Sequence, residues 1–219
     1  MVPWRIRFET FANILETTFI GLGVKLPTMM KQYLIATLLI LLQANAMALE
    51  EPEYTVTGQY GDFELRQYAP FLIAEVDVDG DFAEGGNDAF RILAGYIFGD
   101  NESSGKMAMT APVTTTAAGE QTTYAFVMER KYSKETLPVP NDERIRIREV
   151  PGRTLAVRKY SGRWTEEKYE QHEAALRTAL SAHGIQISGQ PILARYNSPF
   201  SLPILRRNEV MFEIIGQDS

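Results

Sequence analysis

Two histidines, His172 and His183, and no cysteine at all set narrow limits on the chemistry open to this chain. Thiol nucleophiles, zinc–thiolate sites and disulfides are excluded outright. The histidines stand eleven residues apart in a helix-like stretch, about 16 Å along its axis, which is too far to grip one metal from the same side. No GxSxG elbow, GxGxxG or Walker A loop, or HExxH pair occurs beyond residue 48. Glu64, Glu75, Glu149 and Glu209 lie in alternating, strand-like runs and read as solvated strand faces. With neither a catalytic nor a metal-ligating constellation, the sequence reads as a binding protein and not as an enzyme.

The residues with unspent capacity are apolar and lie between Asn87 and Phe98. At 100° per residue, Ile92, Tyr96, Ala89, Leu93, Ile97, Phe90, Ala94 and Phe98 fill an arc of roughly 240°. A helix lying on one sheet needs an apolar stripe of only about 100°. Two readings follow. Either strands or a second copy of the protein cover the surplus, or the surplus is one wall of a cleft for a flat apolar ligand. In the second case Phe90, Leu93, Ala94 and Ile97 line the cleft, Arg91 at the rim meets a carboxylate, and Asn87 belongs to the same ligand-binding set.

The elements that hold this helix can be read from patterning. Phe63 to Tyr68 and Ile145 to Val150 alternate as half-buried strands, Pro70 and Pro151-Gly152 mark turns, and Phe71 to Val78 and Thr154 to Tyr160 are rich in β-branched and aromatic residues. A second helix spans about Thr165 to His183, capped by Thr165 and closed by Gly184, with a narrow apolar stripe of Tyr169, Leu176, Ala179 and Leu180. Residues 63–82 laid over 145–164 pair Leu65 with Ile147, Arg66 with Arg148, Ala74 with Ala156, Gly80 with Gly162 and Phe82 with Trp164. Two half-repeats, about 54–130 and 142–215, joined by the two-proline stretch 133–142, predict an α+β fold: a pseudo-two-fold, distorted antiparallel β-barrel of about eight strands flanked by two α-helices.

The formal net charge is −6, and the body beyond residue 48 is more acidic still, because the first 48 residues carry Arg5, Arg7, Lys25 and Lys31 against Glu9 and Glu16. Such a body repels phosphate backbones, which argues against a nucleic-acid partner. Residues 29–48 combine Lys31, an apolar run from Tyr33 to Leu42 and small residues at Ala46 and Ala48, the pattern of a secretory signal peptide cleaved before Leu49. Ten apolar residues are too few to span a bilayer, so no stable membrane span is expected after cleavage. Residues 1–28 form an N-terminal extension that suggests a start assigned too far upstream. Export, and in a double-membraned bacterium a periplasmic location, is the expectation.

The segments MAMTAPV (107–113), FVMERKYSKETLPVPND (126–142), RTLAVRKYSG (153–162), ARYNSPF (194–200) and RRNEVMFEI (206–214) resemble, in that order, the SOUL haem-binding family. The resemblance covers roughly Tyr54 to Ile215. It implies a two-repeat barrel similar to the small-molecule-binding domains of gyrase-inhibitor-like regulators, and reversible, non-covalent binding of haem or another tetrapyrrole over the first helix. The chain departs from the family's pattern at two points. Basic residues assigned to the propionates in some members align with Asn87 and Gly95, which leaves Arg91 as the nearest cation, and the histidine assigned as axial ligand has no counterpart. A binding module for another amphipathic molecule or a protein partner, using the same helix face, is the alternative.

Overall fold

The computed structural model describes residues 49–79, 85–118 and 121–215. The expected extension (1–28) and signal peptide (29–48), and the repeat positions Gly80 and Phe82, lie outside these residues.

The described chain runs β1 (Tyr54–Tyr60), β2 (Phe63–Tyr68), β3 (Phe71–Asp79), α1 (Gly85–Ile97), β4 (Val113–Ala118), β5 (Gln121–Val127), β6 (Arg146–Val150), β7 (Arg153–Tyr160), α2 (Glu166–Ala182), β8 (Ile187–Arg195), a 3-10 turn (Pro203–Leu205) and β9 (Asn208–Ile214). All nine strands join one antiparallel, curled half-barrel sheet in the order β1-β2-β7-β9-β8-β4-β5-β3-β6. The α+β class holds. The extra strand over the expected eight is β1, which pairs only with β2 at one edge.

The internal repeat has a definite topological meaning. The half-sheet β4-β5-β3 takes β6 from the second repeat as its outer strand, while β8-β9-β7 takes β2 from the first. Each repeat therefore lends the other the strand that opens its repeated run, β2 (from 63) or β6 (from 146). The halves meet where β4 pairs β8, over Val113↔Arg195, Thr114↔Ala194 and Thr115↔Leu193.

Both helices lie on one face of this sheet. Ala89, Leu93, Ala94, Tyr96 and Ile97 of α1 pack on Ala74, Val76, Tyr124 and Phe126. Tyr169, Leu176 and Leu180 of α2 pack on Phe63, Ala156, Leu193, Val210 and Phe212. Burying one such leucine or isoleucine contributes about 1.5–3 kcal/mol, so a few per helix suffice to fix each on the sheet. The Thr165 hydroxyl accepts from the Lys168 amide at the start of α2, and Gly184, at φ +68°, ends it where a residue with a Cβ is strained. Helix α1 begins at Gly85, ahead of the Asn87–Phe98 stretch read from the sequence; a Cβ at Gly85 would stand 2.6 Å from Val78 Cγ2, so only glycine lets the chain turn this close to β3.

Part of the sheet's other face is buried too, against the half-buried pattern read from the sequence. Arg66 and Tyr68 lie inside with Glu209, and Glu75 is covered by Arg146 and Arg148. Glu209 and Glu75 are thus not solvated strand residues: the sheet curls, and arginines from partner strands close over them.

Candidate functional site

The sequence-predicted site residues divide into two sets. Leu93 (0% exposed), Ala94 (7%) and Ile97 (1%) turn into the core beneath α1, where they touch sheet residues and offer no wall to a surface cleft. Asn87, Phe90 and Arg91 stay exposed. Arg91 reaches back to Asp88, 2.9 Å away, in a surface pair of small energetic weight. The surplus apolar arc survives as Phe90 (45% exposed) and Phe98 (59%), which with Asn87 and Arg91 occupy about 100° of the helix surface. The Phe90 ring stands edge-on to Phe126, with 5.4 Å between centroids.

Phe126 opens a row that crosses the sheet on the helix-bearing face. Register places Phe126, Val113, Arg195, Asn208 and Tyr160 side by side on β5, β4, β8, β9 and β7. Strands are about 4.8 Å apart, so Arg195 lies roughly 10 Å from Phe126, between the two helices. The row is the strip of sheet between α1 and α2, hereafter the valley; Phe126, Asn208 and Tyr160 in it are buried, and Val113 and Arg195 are partly exposed.

Three polar groups in that valley are left over. Arg195 Nε, Tyr160 Oη and Thr115 Oγ1 are buried without a hydrogen-bond partner. Native interiors satisfy most such groups, and each exception needs a cause. Arg195 is the costliest, since it carries charge. Its guanidinium faces the Trp164 ring at 5.6 Å, and among the described residues no carboxylate pairs with it. Burial holds its pKa below the ordinary arginine value, against the opposing pull of Tyr124 and Tyr160. Burial also pushes the Tyr160 hydroxyl up to about 12, so it stays neutral and able to donate. This trio was missed in the sequence. The available signal was that Arg195 shares the strand face of Leu193, a cation in an apolar register.

Beside the valley, the turn at 198–205 exposes Phe200, Leu202, Ile204 and Leu205. The Gly162 amide donates to the Pro203 carbonyl (3.0 Å), fastening the turn to the strand-to-helix corner that carries Trp164, and Asn208 Nδ2 of β9 donates to the Gly162 carbonyl (3.2 Å) at the same corner.

The histidines serve α2. His172 stacks on Tyr160 at 4.1 Å, and burial, then the charges of Arg158 and Lys168, lower its pKa. His183 stands edge-on to Tyr60 and Phe63, with Nδ1 at 2.8 Å from the Ala179 carbonyl oxygen. Among the described residues, no cluster of three His, Cys, Asp or Glu could hold a metal, and no helix is long and apolar enough to cross a membrane.

On the opposite face, a cleft of about 400 Å³ lies over Phe71, Ile73, Ala125, Val150 and Ile192, with Thr114, Thr116 and Thr123 beside them. Its charges cancel internally: Arg148 pairs with Glu75 and Arg153 with Glu213. It offers no unspent charge to a ligand.

A family model described as SOUL heme-binding protein matches residues 49–213. The chain is 30% identical over 158 residues to heme-binding protein 1 of Xenopus tropicalis, covering 68% of this chain and 82% of that protein. It is 28% identical over 176 residues to heme-binding protein 2 of Mus musculus, covering 74% and 85%. Among solved structures, the C-terminal domain of EcmrR superposes with a TM-score of 0.56 at 12% identity, covering 74% of this chain and 98% of that one, a likeness of fold alone.

Proposed function

Since the chain belongs to the SOUL haem-binding family, we propose that it binds haem or a related tetrapyrrole non-covalently, as a carrier or buffer and not as a catalyst. The observation that supports this most is the exposed apolar edge of α1 beside a valley with unspent polar groups. A porphyrin buries a broad apolar face and keeps its carboxylates near cations or water, and this surface offers both environments. Phe90 supplies apolar contact, the buried Phe126 ring supports it from the sheet, and Asn87 and Arg91 form a polar margin. Leu93 and Ile97 act indirectly by fixing α1 on the sheet. His172 and His183 are engaged in α2 packing, so neither would ligate the iron of a haem held at α1.

Haemin titrated into the purified protein should give a saturable Soret shift, and Phe90→Asp should weaken binding at least tenfold with the fold intact. An unsaturable titration, or one indifferent to Phe90, removes this reading. Action outside the cytoplasm belongs to the same proposal, because residues 29–48 have the composition of an export signal. The intact mass of the mature product should correspond to a chain starting at Leu49. A second reading, binding of another amphipathic molecule or of a protein partner, draws on the exposed Phe200, Leu202, Ile204 and Leu205. It is favoured if haemin fails while a protein partner protects that turn from proteolysis.

A further inference from the structure

We propose that Arg195 is the carboxylate anchor of the ligand site, holding an acidic group of an amphipathic, largely apolar guest in the valley between α1 and α2. This rests on the tetrapyrrole reading and assigns that site a residue that neither the family match nor the helix pattern singles out.

Several partly or fully buried arginines in the described structure have their charge answered. Arg66 meets Glu209 and Glu64, Arg207 meets Glu209 and Glu51, Arg153 meets Glu213, and Arg158 meets Asp62. Arg195 has no such partner among the described residues, and its Nε is buried without an acceptor. Arg195 is partly exposed, but a charge with its Nε buried and unanswered works against folding unless something else repays it. The Trp164 ring repays part, but a ring face accepts none of the guanidinium's directed N–H bonds.

A carboxylate completes the arrangement. The guanidinium presents a planar fork of donors that matches two carboxylate oxygens, and the low-dielectric surroundings that penalise the lone cation strengthen that pair. Tyr160 Oη, close enough to Arg195 to influence its charge, is a neutral donor with no partner of its own and suits the same acidic group. The apolar remainder of the guest then lies toward Phe126 and Phe90, two strands away on the same face. Arg91, the cation expected from the sequence, is mostly exposed and already paired with Asp88, which makes it the weaker anchor. Arg195 also compensates physically for Asn87 and Gly95, which carry no charge.

The test titrates haemin, and separately its dimethyl ester, which has the same ring without free carboxylates, into the wild-type protein, Arg195→Met and Arg195→Lys, following absorbance and melting temperature. Arg195→Met should weaken haemin binding tenfold or more, leave the ester unchanged, and melt no lower than wild type without ligand; Arg195→Lys should recover part of the haemin affinity. Wild-type binding of haemin with no loss in Arg195→Met overturns the anchor while leaving the tetrapyrrole reading in place. If wild type binds neither compound, the tetrapyrrole reading falls, and laurate, a simple amphipathic carboxylate, decides the anchor. A rise in melting temperature with laurate that Arg195→Met abolishes supports it, and no such rise overturns it.

Discussion

Arg66 and Arg195 are both cations on strands of one sheet, and they are treated in opposite ways. On the helix-free face, Arg66 is fully buried and grips Glu209 with two 2.9 Å bonds, while Tyr196 (2.7 Å) and Arg207 (2.9 Å) donate to the same carboxylate and Tyr68 accepts from Arg66. Burial alone raises the Glu209 pKa, but the Arg66 bond and charge, then Arg207 and Tyr196, outweigh it and hold the carboxyl below its ordinary value. On the helix-bearing face, Arg195 has, among the described residues, only an aromatic ring against it. A fully buried charge with every bond made is scaffold, whereas a partly buried one with bonds left over is a place for something else to bind.

The sharpest way to break this contrast is to make Arg66 resemble Arg195. Glu209→Ala should cost about 3–5 kcal/mol in denaturant unfolding, because it strands a fully buried guanidinium. Replacing both partners, as Arg66→Met with Glu209→Leu, should restore much of the loss; if the single and double variants are equally unstable, the pair does more than balance charge. Leu93→Ala comes next, with an expected loss of about 2–5 kcal/mol in the ligand-free protein, since Leu93 is core. A change in haemin affinity with stability intact would return Leu93 to the ligand wall.

Acid provides a continuous version of the first test. With its folded pKa below the ordinary 4.5, Glu209 contributes stability that is fully present above pH 4.5 and is lost as pH falls through the lower folded value. Glu209→Gln should flatten the stability–pH curve in that window. Thr165→Ala, which removes the α2 cap, should cost about 1 kcal/mol by thermal or chemical denaturation. The smallest effect belongs to Arg195→Met, equal to wild type or up to about 1 kcal/mol more stable, because deleting an unpaired, partly buried charge removes a penalty. A loss as large as that of Glu209→Ala would show that Arg195 is scaffold after all.

Several parts of this molecule were legible residue by residue. Thr165 and Gly184 bound α2 because capping is short-range, the 63–82 and 145–164 runs announced two repeats through their alternation, and the surplus apolar arc of α1 does leave Phe90 and Phe98 outside. The inward turn of Leu93 and Ile97 was ambiguous, since a 240° arc does not state which part of it the sheet covers. Glu209 could not be distinguished from a surface glutamate, because its partner Arg66 lies 143 residues away.

Sequence by itself determined the local facts: where helices stop, which residues share a strand face, that no thiol chemistry exists, and that two similar halves build one sheet. Those follow from interactions spanning a few residues, so the chain carries them wherever it goes. Only the tertiary structure decided which guanidinium met a carboxylate and which did not. That outcome depends on the exchange of β2 and β6 between the halves and on the β4–β8 seam, which bring together strands whose side chains have no contact until the whole sheet has closed.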